Sequence, residues 1–556
     1  MPPELLLPRR RQLHVAQREH AAQRGWRRID AAMQRAGSYR HPAGRIERIE
    51  THISVIYLVG RFAYKVIKRV NPGFADFTQP DARLRYCHEQ VRLNRRLARG
   101  LYLGVVSITA KGRTFEVGGR GKIVEYAVRM KRFAEADVFA RLQESGELGV
   151  AQMDQLALEL AAFHGHAAST LGGKRQRTAT HGAAGSSAFV REQMVNVLNA
   201  LAHEAPTLVP VGVRLWCHQE AARLAPHFDA RRSLGFVREC HGDLHLENIV
   251  RKGRDVLMFD CIEFSEALRW IDVASDLAFP LMDLQVHGCR DLSARLLNEW
   301  LQLTGDFAAL PVMRFYMVYR ALVRALVALL KATHGRAADA VDAARGYVEF
   351  ARRIVQGDRP CLLLCHGYSG SGKSVASAAL APLIGAVRLS SDAERKRLHP
   401  LSPPVLRPLP AAAYTPHSID AHYTALLALT RDTLLAGYPM LVDATFLKER
   451  NRTRFISLAN ALSIPVFILD FHASPRTLVE RVRGRASGPL QPSDARTLVF
   501  VRQLANEEPL TPEECLITIS FDTDVPLSAF CDLEYWRPLM EQLGAERVAP
   551  PEAAPA

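Results

Sequence analysis

Three residues near the middle of the chain have the types and spacing needed to move a phosphoryl group. In HGDLHLENIV, residues 241–250, Asp243 is followed five positions later by Asn248, and VLMFDCIEF brings Asp260 after a short apolar strand, 256–259. Phosphoryl transfer needs no covalent intermediate. It needs a base for the acceptor hydroxyl and hard oxygen ligands for a divalent cation held against polyphosphate. Asp243 has the place of the base, Asn248 offers an amide oxygen, and Asp260 is the metal carboxylate. Alone, HGD would read as a turn and Asp260 as a strand-end cap; the three in this order point to chemistry.

A second constellation begins at Cys361. In CLLLCHGYSGSGKSVASAALAPLIGA an apolar strand, a GxxxxGKS run over 367–374 and an Ala-rich helix follow one another. Gly367, Gly370 and Gly372 let backbone N–H groups surround a phosphate, Lys373 reaches the terminal phosphates, and Ser374 sets a hydroxyl for Mg2+ at a helix N-terminus. Further on, RLSSDAERKRL places Asp392 at the C-terminal end of a strand, the edge where doubly wound sheets hold ligands, and Arg395 follows on the same side. Asp392 is thereby the expected acceptor base of this site. The strand ending LVDAT offers Asp443 to magnesium, and RTLVERVRGR carries Arg481 and Arg485 for the transferring phosphate. The plainer alternatives are a helix cap for Asp392, a strand-end acid for Asp443 and a solvated helix for the two arginines.

HGDLHLENIV, FDCIEF and RWIDVASDLA, residues 269–278, together resemble the aminoglycoside phosphotransferase family of the protein-kinase-like fold. That resemblance implies a β-hairpin over the phosphates in RIERIETHISVIYLVGRFAYKVIKRV, with Lys65 contacting phosphate and Lys68, on the opposite strand face, as the alternative. It also implies that Glu89, within YCHEQVRLNRRL, pairs with the strand lysine. Only Gly60 marks the covering loop, without a GxGxxG. KIVEYAVRMKRF, 122–133, resembles the hinge that reads adenine, while Asp272 and Asp276 read as structural acids that pair with loop backbone or with His241. The second constellation resembles AAA-type, zeta-toxin-like, gluconate-kinase-like and polynucleotide-kinase-like P-loop enzymes. In these, an Asp followed by an Arg at this spacing activates the acceptor.

The elements that must hold these residues need more than one core, since the chain has 556 residues. The fold class expected is an α+β protein-kinase-like bilobal domain followed by an α/β P-loop domain with a parallel sheet. The expected divisions are a basic extension over 1–45, the kinase-like domain over 46–335, a helical linker over 336–357, the P-loop domain over 358–545 and a disordered tail over 546–556. Helical segments fill 151–237. There His164 and His166 point to different helix faces, which disfavours a shared metal. Residues 313–355 read as amphipathic helices with Arg320 and Arg324 outward.

A 48% hydrophobic and 23% charged composition describes a soluble globular chain, and a charge of +15 suits polyanionic ligands such as ATP or nucleic acid. Nine cysteines without a CxxC pair imply neither a disulfide framework nor a zinc site, so a reducing cytoplasm is expected. The start MPPELLLPRRR has the wrong order for a signal peptide, and no apolar run is long enough to span a bilayer. The reading is of a bifunctional phosphotransferase using ATP and Mg2+ on hydroxyls of small molecules, with no membrane partner. A nucleic-acid 5′-hydroxyl kinase and a non-catalytic nucleotide-sensing regulator are the rivals, nucleic acid being the less favoured partner.

Overall fold

The computed structural model describes residues 25–544 apart from 52, 72–74, 113, 172–181, 333–336, 358, 399–414, 488–502, 504 and 506. Most of the basic extension and the Pro/Ala-rich tail, both singled out in the sequence, lie outside the described residues. The chain divides into two compact units. The first takes the described residues up to Ser145 together with Gly182 and Glu239–Ile271; the second takes those of Gly146–Gly173, Ala183–Arg238 and Asp272 onward.

The first unit is built on a six-stranded antiparallel sheet. Its strands are β1 (Ile46–Glu50), β2 (Ser54–Val59), β3 (Phe62–Ile67), β4 (Tyr102–Lys111), β5 (Thr114–Val117) and β6 (Lys122–Lys131), in the order β1-β2-β3-β6-β4-β5. Strand β3 lies inside the sheet and every one of its residues is buried. Alternation then sorts its side chains: Phe62, Tyr64 and Val66 enter one core, and Ala63 and Ile67 enter the other. Lys65 shares the face of Ala63 and Ile67. That core also contains Cys87 and Val91 of helix α1 (Pro80–Asn94), whose buried positions Arg83, Cys87, Gln90, Val91 and Asn94 follow the 3.6-residue period. Arg83 and Glu125 form an almost completely buried ion pair under this helix, joined by Arg69. Further along, β7 (Ile249–Lys252) and β8 (Asp255–Met258) make a hairpin in which Ile249 faces Met258.

The second unit opens with helices α2 (Val150–His166), α3 (Ser187–Glu204) and α4 (Val211–Arg223). It continues through α5 (Val273–Val286), α6 (Arg290–Thr304), α7 (Leu310–Ala332) and α8 (Ala337–Gln356). Asp272 caps α5 through the Ala274 N–H and is ion-paired with buried Arg231, while Asp276 meets the buried His164. Within this unit both acids thus have partners that tie helices together, Arg231 for Asp272 and His164 for Asp276. His166 is exposed and bonds the Ala162 carbonyl, so the two histidines do point apart. Arg320 departs from expectation: it is buried, donates to the Ser275 carbonyl and stacks over Phe279. A helix packed on two sides leaves little outward face, and a guanidinium with a carbonyl and a ring to meet can be buried.

A five-stranded parallel sheet completes this unit. Its strands are β9 (Leu362–His366), β10 (Val387–Ser390), β11 (Met440–Asp443), β12 (Val466–His472) and β13 (Thr518–Asp522), in the order β10-β11-β9-β12-β13. The continuous apolar run of β9 is what a strand covered on both faces requires, and Cys361 and Cys365 lie in its core. Helices α9 (Lys373–Leu383), α10 (Ser391–Leu398), α11 (Pro416–Leu435), α12 (Glu449–Ala461) and α13 (Pro475–Ser487) intervene between strands. No helix among the described residues is long and apolar enough to cross a membrane.

Candidate active sites

In the first unit, the loop before β7 is anchored from beneath. Gly242 has φ +88°, and a Cβ there would lie 2.7 Å from the Leu268 carbonyl oxygen, so neither conformation nor space admits a side chain. The buried His241 bonds the Phe259 carbonyl through Nε2 at 2.9 Å, which requires a proton on Nε2. Its Nδ1 then accepts the Asp243 N–H at 3.3 Å. One imidazole therefore ties the Asp243 loop to the residue preceding Asp260. Asn248 donates its amide to the Asp243 carbonyl at 2.8 Å and more weakly to its carboxylate at 3.3 Å, while His245 Nε2 stands 3.4 Å from Asp243 Oδ2. Asp243 is nevertheless 38% exposed, so its carboxylate is fixed in direction and open to an acceptor.

Asp260 sits at φ +65°, a left-handed conformation that Asp tolerates better than most residues and that concentrates at functional sites. Its N–H donates to the Tyr102 hydroxyl, and its Oδ1 receives both the Lys65 ammonium and the Gln90 amide, the latter at 3.3 Å. Lys65 is 6% exposed, and Lys68 instead pairs with Glu50. Burial pulls the Lys65 pKa down, but the carboxylates of Asp260 and Glu263 outweigh it and the pKa stands raised, so Lys65 is cationic. Glu263, also buried, has its pKa raised as well: burial is the largest cause, Lys65 opposes it and the Asp260 charge adds to it. The oxygens of Asn248 and Asp260 are hard donors suited to Mg2+. The Gln90 Oε1, buried and without a hydrogen-bond partner, marks a polar group left unsatisfied beside them.

The expected Lys65–Glu89 pair is not formed. Glu89 bonds Arg92 and Arg269 in a cluster with Glu239. The next residue, Gln90, is fully buried and turned to Asp260, one residue being 100° around a helix.

In the second unit, the P-loop follows β9 as anticipated. Gly367 has φ +127°, and a Cβ there would approach the Phe471 carbonyl oxygen to 2.4 Å. Gly370 and Gly372 also have positive φ. Lys373 is buried and folds back on the Tyr368 carbonyl at 2.6 Å and on Ser371 Oγ. Ser374 Oγ lies 3.3 Å from Asp443 Oδ1, two hard oxygens together at the first turn of α9, which fits a divalent cation. Register pairs Ser390 with Asp443 across β10 and β11, which brings Asp392 just beyond the same sheet edge. Ser390, not Asp392, bonds the Ala393 N–H at the helix start. Asp392 and Arg395 both influence the buried Tyr423, and Ser391 bonds the buried His422, so a polar cluster surrounds the start of α10. Arg481 reaches the Gly370 carbonyl and both the side chain and backbone of Thr523. The Arg485 side chain lies outside the described residues.

Sequence reasoning passed over Arg388. It donates to Asp443 Oδ2 at 2.6 Å, to Ser377 Oγ and to the Ser374 carbonyl. From α6, Gln302 accepts its Nη1 and Asn298 accepts its backbone N–H at 2.7 Å; Asn298 also donates to the Ala386 carbonyl at 2.8 Å. An asparagine side chain thus pairs with the outer edge of β10 as a neighbouring strand would. The available signal was a charged residue inside the short strand VRLS.

Residues 362–510 match a family model described as an AAA domain. An uncharacterised protein of Mycobacterium tuberculosis is 29% identical over 445 residues, covering 79% of this chain and 86% of that protein; one from Mycobacterium bovis matches to the same extent. Among solved structures, a gluconokinase from Sinorhizobium meliloti 1021 is 24% identical with a TM-score of 0.25, over 34% of this chain and 97% of the other. A choline/ethanolamine kinase family protein from Mesorhizobium loti is 13% identical with a TM-score of 0.35, over 59% and 100%. Aminoglycoside 2′-phosphotransferase-IIIa is 12% identical with a TM-score of 0.32, over 56% and 93%. The chain combines an α+β part built on a six-stranded antiparallel sheet with an α/β part that carries the P-loop and a five-stranded parallel sheet.

Proposed function

We propose that the protein is a phosphotransferase with two sites, each using ATP and Mg2+ to phosphorylate a small-molecule hydroxyl, in domains spanning 46–335 and 358–545. The observation that carries this reading is the first-unit loop, where His241 fixes an exposed Asp243 carboxylate next to the Lys65–Asp260 pair. Asp243 accepts the acceptor's hydroxyl proton, and Asn248 holds that carboxylate in direction. Asn248 and Asp260 would hold the cation, with Lys65 on the phosphates. Bound Mg-ATP supplies the phosphoryl group and neutralises its charge. In the second unit Asp392 takes the base role, Lys373 and Arg481 the phosphates, and Ser374 with Asp443 the cation, with Arg395 orienting the acceptor or transferring group.

The test is a screen of metabolites and aminoglycosides with labelled ATP on the full chain, alongside Asp243→Asn and Asp392→Asn. Each variant should lose transfer to one set of acceptors and keep the other. Label transfer that survives in the double variant contradicts the assignment at the site whose acceptors are still phosphorylated.

A further inference from the structure

The second unit holds a cavity of ≈ 390 Å³ that none of the chemistry above uses. Cys361, Gly385 and Pro439 line it, and these immediately precede or lie close before β9, β10 and β11. The cavity is therefore at the strand starts, while the P-loop and Asp443 lie at the strand ends. It cannot be the nucleotide site seen from another side.

Its charge is unusual for a structural void. Arg290, Arg314 and Arg353 line it against a single acid, Asp291, leaving two positive charges in excess. Arg314 donates to the Gly437 carbonyl at 2.6 Å and stacks over Tyr438, which fixes its guanidinium in the wall. Among the described residues neither Arg290 nor Arg353 is in an ion pair, and the buried Nε of Arg353 has no hydrogen-bond partner. Burial first, and then the like charge of Arg290, lower the Arg353 pKa against a smaller opposing pull from Glu349, so the two cavity cations repel one another across partly desolvated space. Convergent, partly desolvated guanidiniums are what a phosphate fork requires. The remainder of the wall is apolar, with Leu297, Phe350, Ile354 and Met540.

We propose that this cavity binds a small organic phosphate, a phosphomonoester on an apolar or aromatic body. A phosphomonoester carries nearly two negative charges at neutral pH, which matches the excess of two, and its body would cover the apolar wall. Arg290 and Arg353 hold the phosphate oxygens, and Arg314 supplies the third charge. Because α6 begins at Arg290 and its later residues Asn298 and Gln302 hold β10 and Arg388, the ligand would sit on the helix that also braces Asp443.

Calorimetric titration of the full chain with phenyl phosphate, and in parallel with inorganic phosphate, tests this. Phenyl phosphate should bind saturably and about tenfold more tightly than inorganic phosphate, the apolar body making the difference. Arg353→Gln and, separately, the exposed Arg290→Gln should each weaken it by about tenfold or more, as expected for a lost hydrogen bond to a charged group. Lys373→Met should leave it unchanged. Binding that disappears in Lys373→Met, that ignores both arginine substitutions, or that is absent from the unsubstituted chain overturns the proposal. None of these results depends on whether either nucleotide site transfers phosphate.

Discussion

The two proposed nucleotide sites place a cation on the carboxylate assigned to the metal in different ways. In the first unit Lys65, the lysine assigned to phosphate, is itself the partner of Asp260. In the second, Lys373 rests on a loop carbonyl while Asp443 is paired with a separate residue, Arg388. Nucleotide arriving at the first site must therefore share or exchange the lysine, so that phosphate binding and Asp260 are linked. At the second site the lysine and the carboxylate can respond independently. Solvation differs as well: Asp260 is 41% exposed and Asp443 only 4%.

That difference in solvation sets the order of the expected effects. Arg388→Met should be the most destabilising change, by about 3–5 kcal/mol, because it leaves a buried carboxylate without its cation. Denaturant unfolding measures it, and a loss below about 1 kcal/mol would mean that Asp443 is better solvated than its burial implies. Asn298→Ala removes two hydrogen bonds to β10 and should destabilise by about 2 kcal/mol. It should also alter the magnesium dependence of nucleotide binding at the second site, through Arg388. An unchanged magnesium profile would separate α6 from the metal site. Lys65→Met should cost about 1–2 kcal/mol, less than Arg388→Met, since water reaches Asp260 and Glu263, its pKa already raised, can take up a proton, yet it should weaken ATP binding at the first site by about tenfold or more. Comparable destabilisation by Lys65→Met and Arg388→Met would erase the distinction between the sites.

Much of this was legible in the sequence because motif and element coincide. The GxxxxGKS run follows a strand and opens a helix, and strand alternation places Lys65 inward with Ala63 and Ile67 while Lys68 turns to Glu50. The Glu89 pairing failed because helical register was read from a motif position; the buried stripe of Cys87, Val91 and Asn94 points to Gln90. Glu263 stands in the quoted FDCIEF, but only packing shows it buried beside Lys65. Arg388 and Asn298 are 90 positions apart, and no local pattern links an arginine in a short strand to an asparagine on a distant helix. Likewise, the phosphate-binding character of the cavity depends on arginines from three separate helices, α6, α7 and α8.

The most direct test of the central claim is to measure ATP affinity and phosphoryl transfer together in Asp243→Asn, using an acceptor that the unsubstituted first site phosphorylates. A base that touches only the acceptor should give a fall in transfer of about 10²–10⁴-fold with ATP affinity changed by less than about twofold. Retained transfer, or a loss of ATP affinity as large as the loss of transfer, would contradict the assignment of Asp243 as the base.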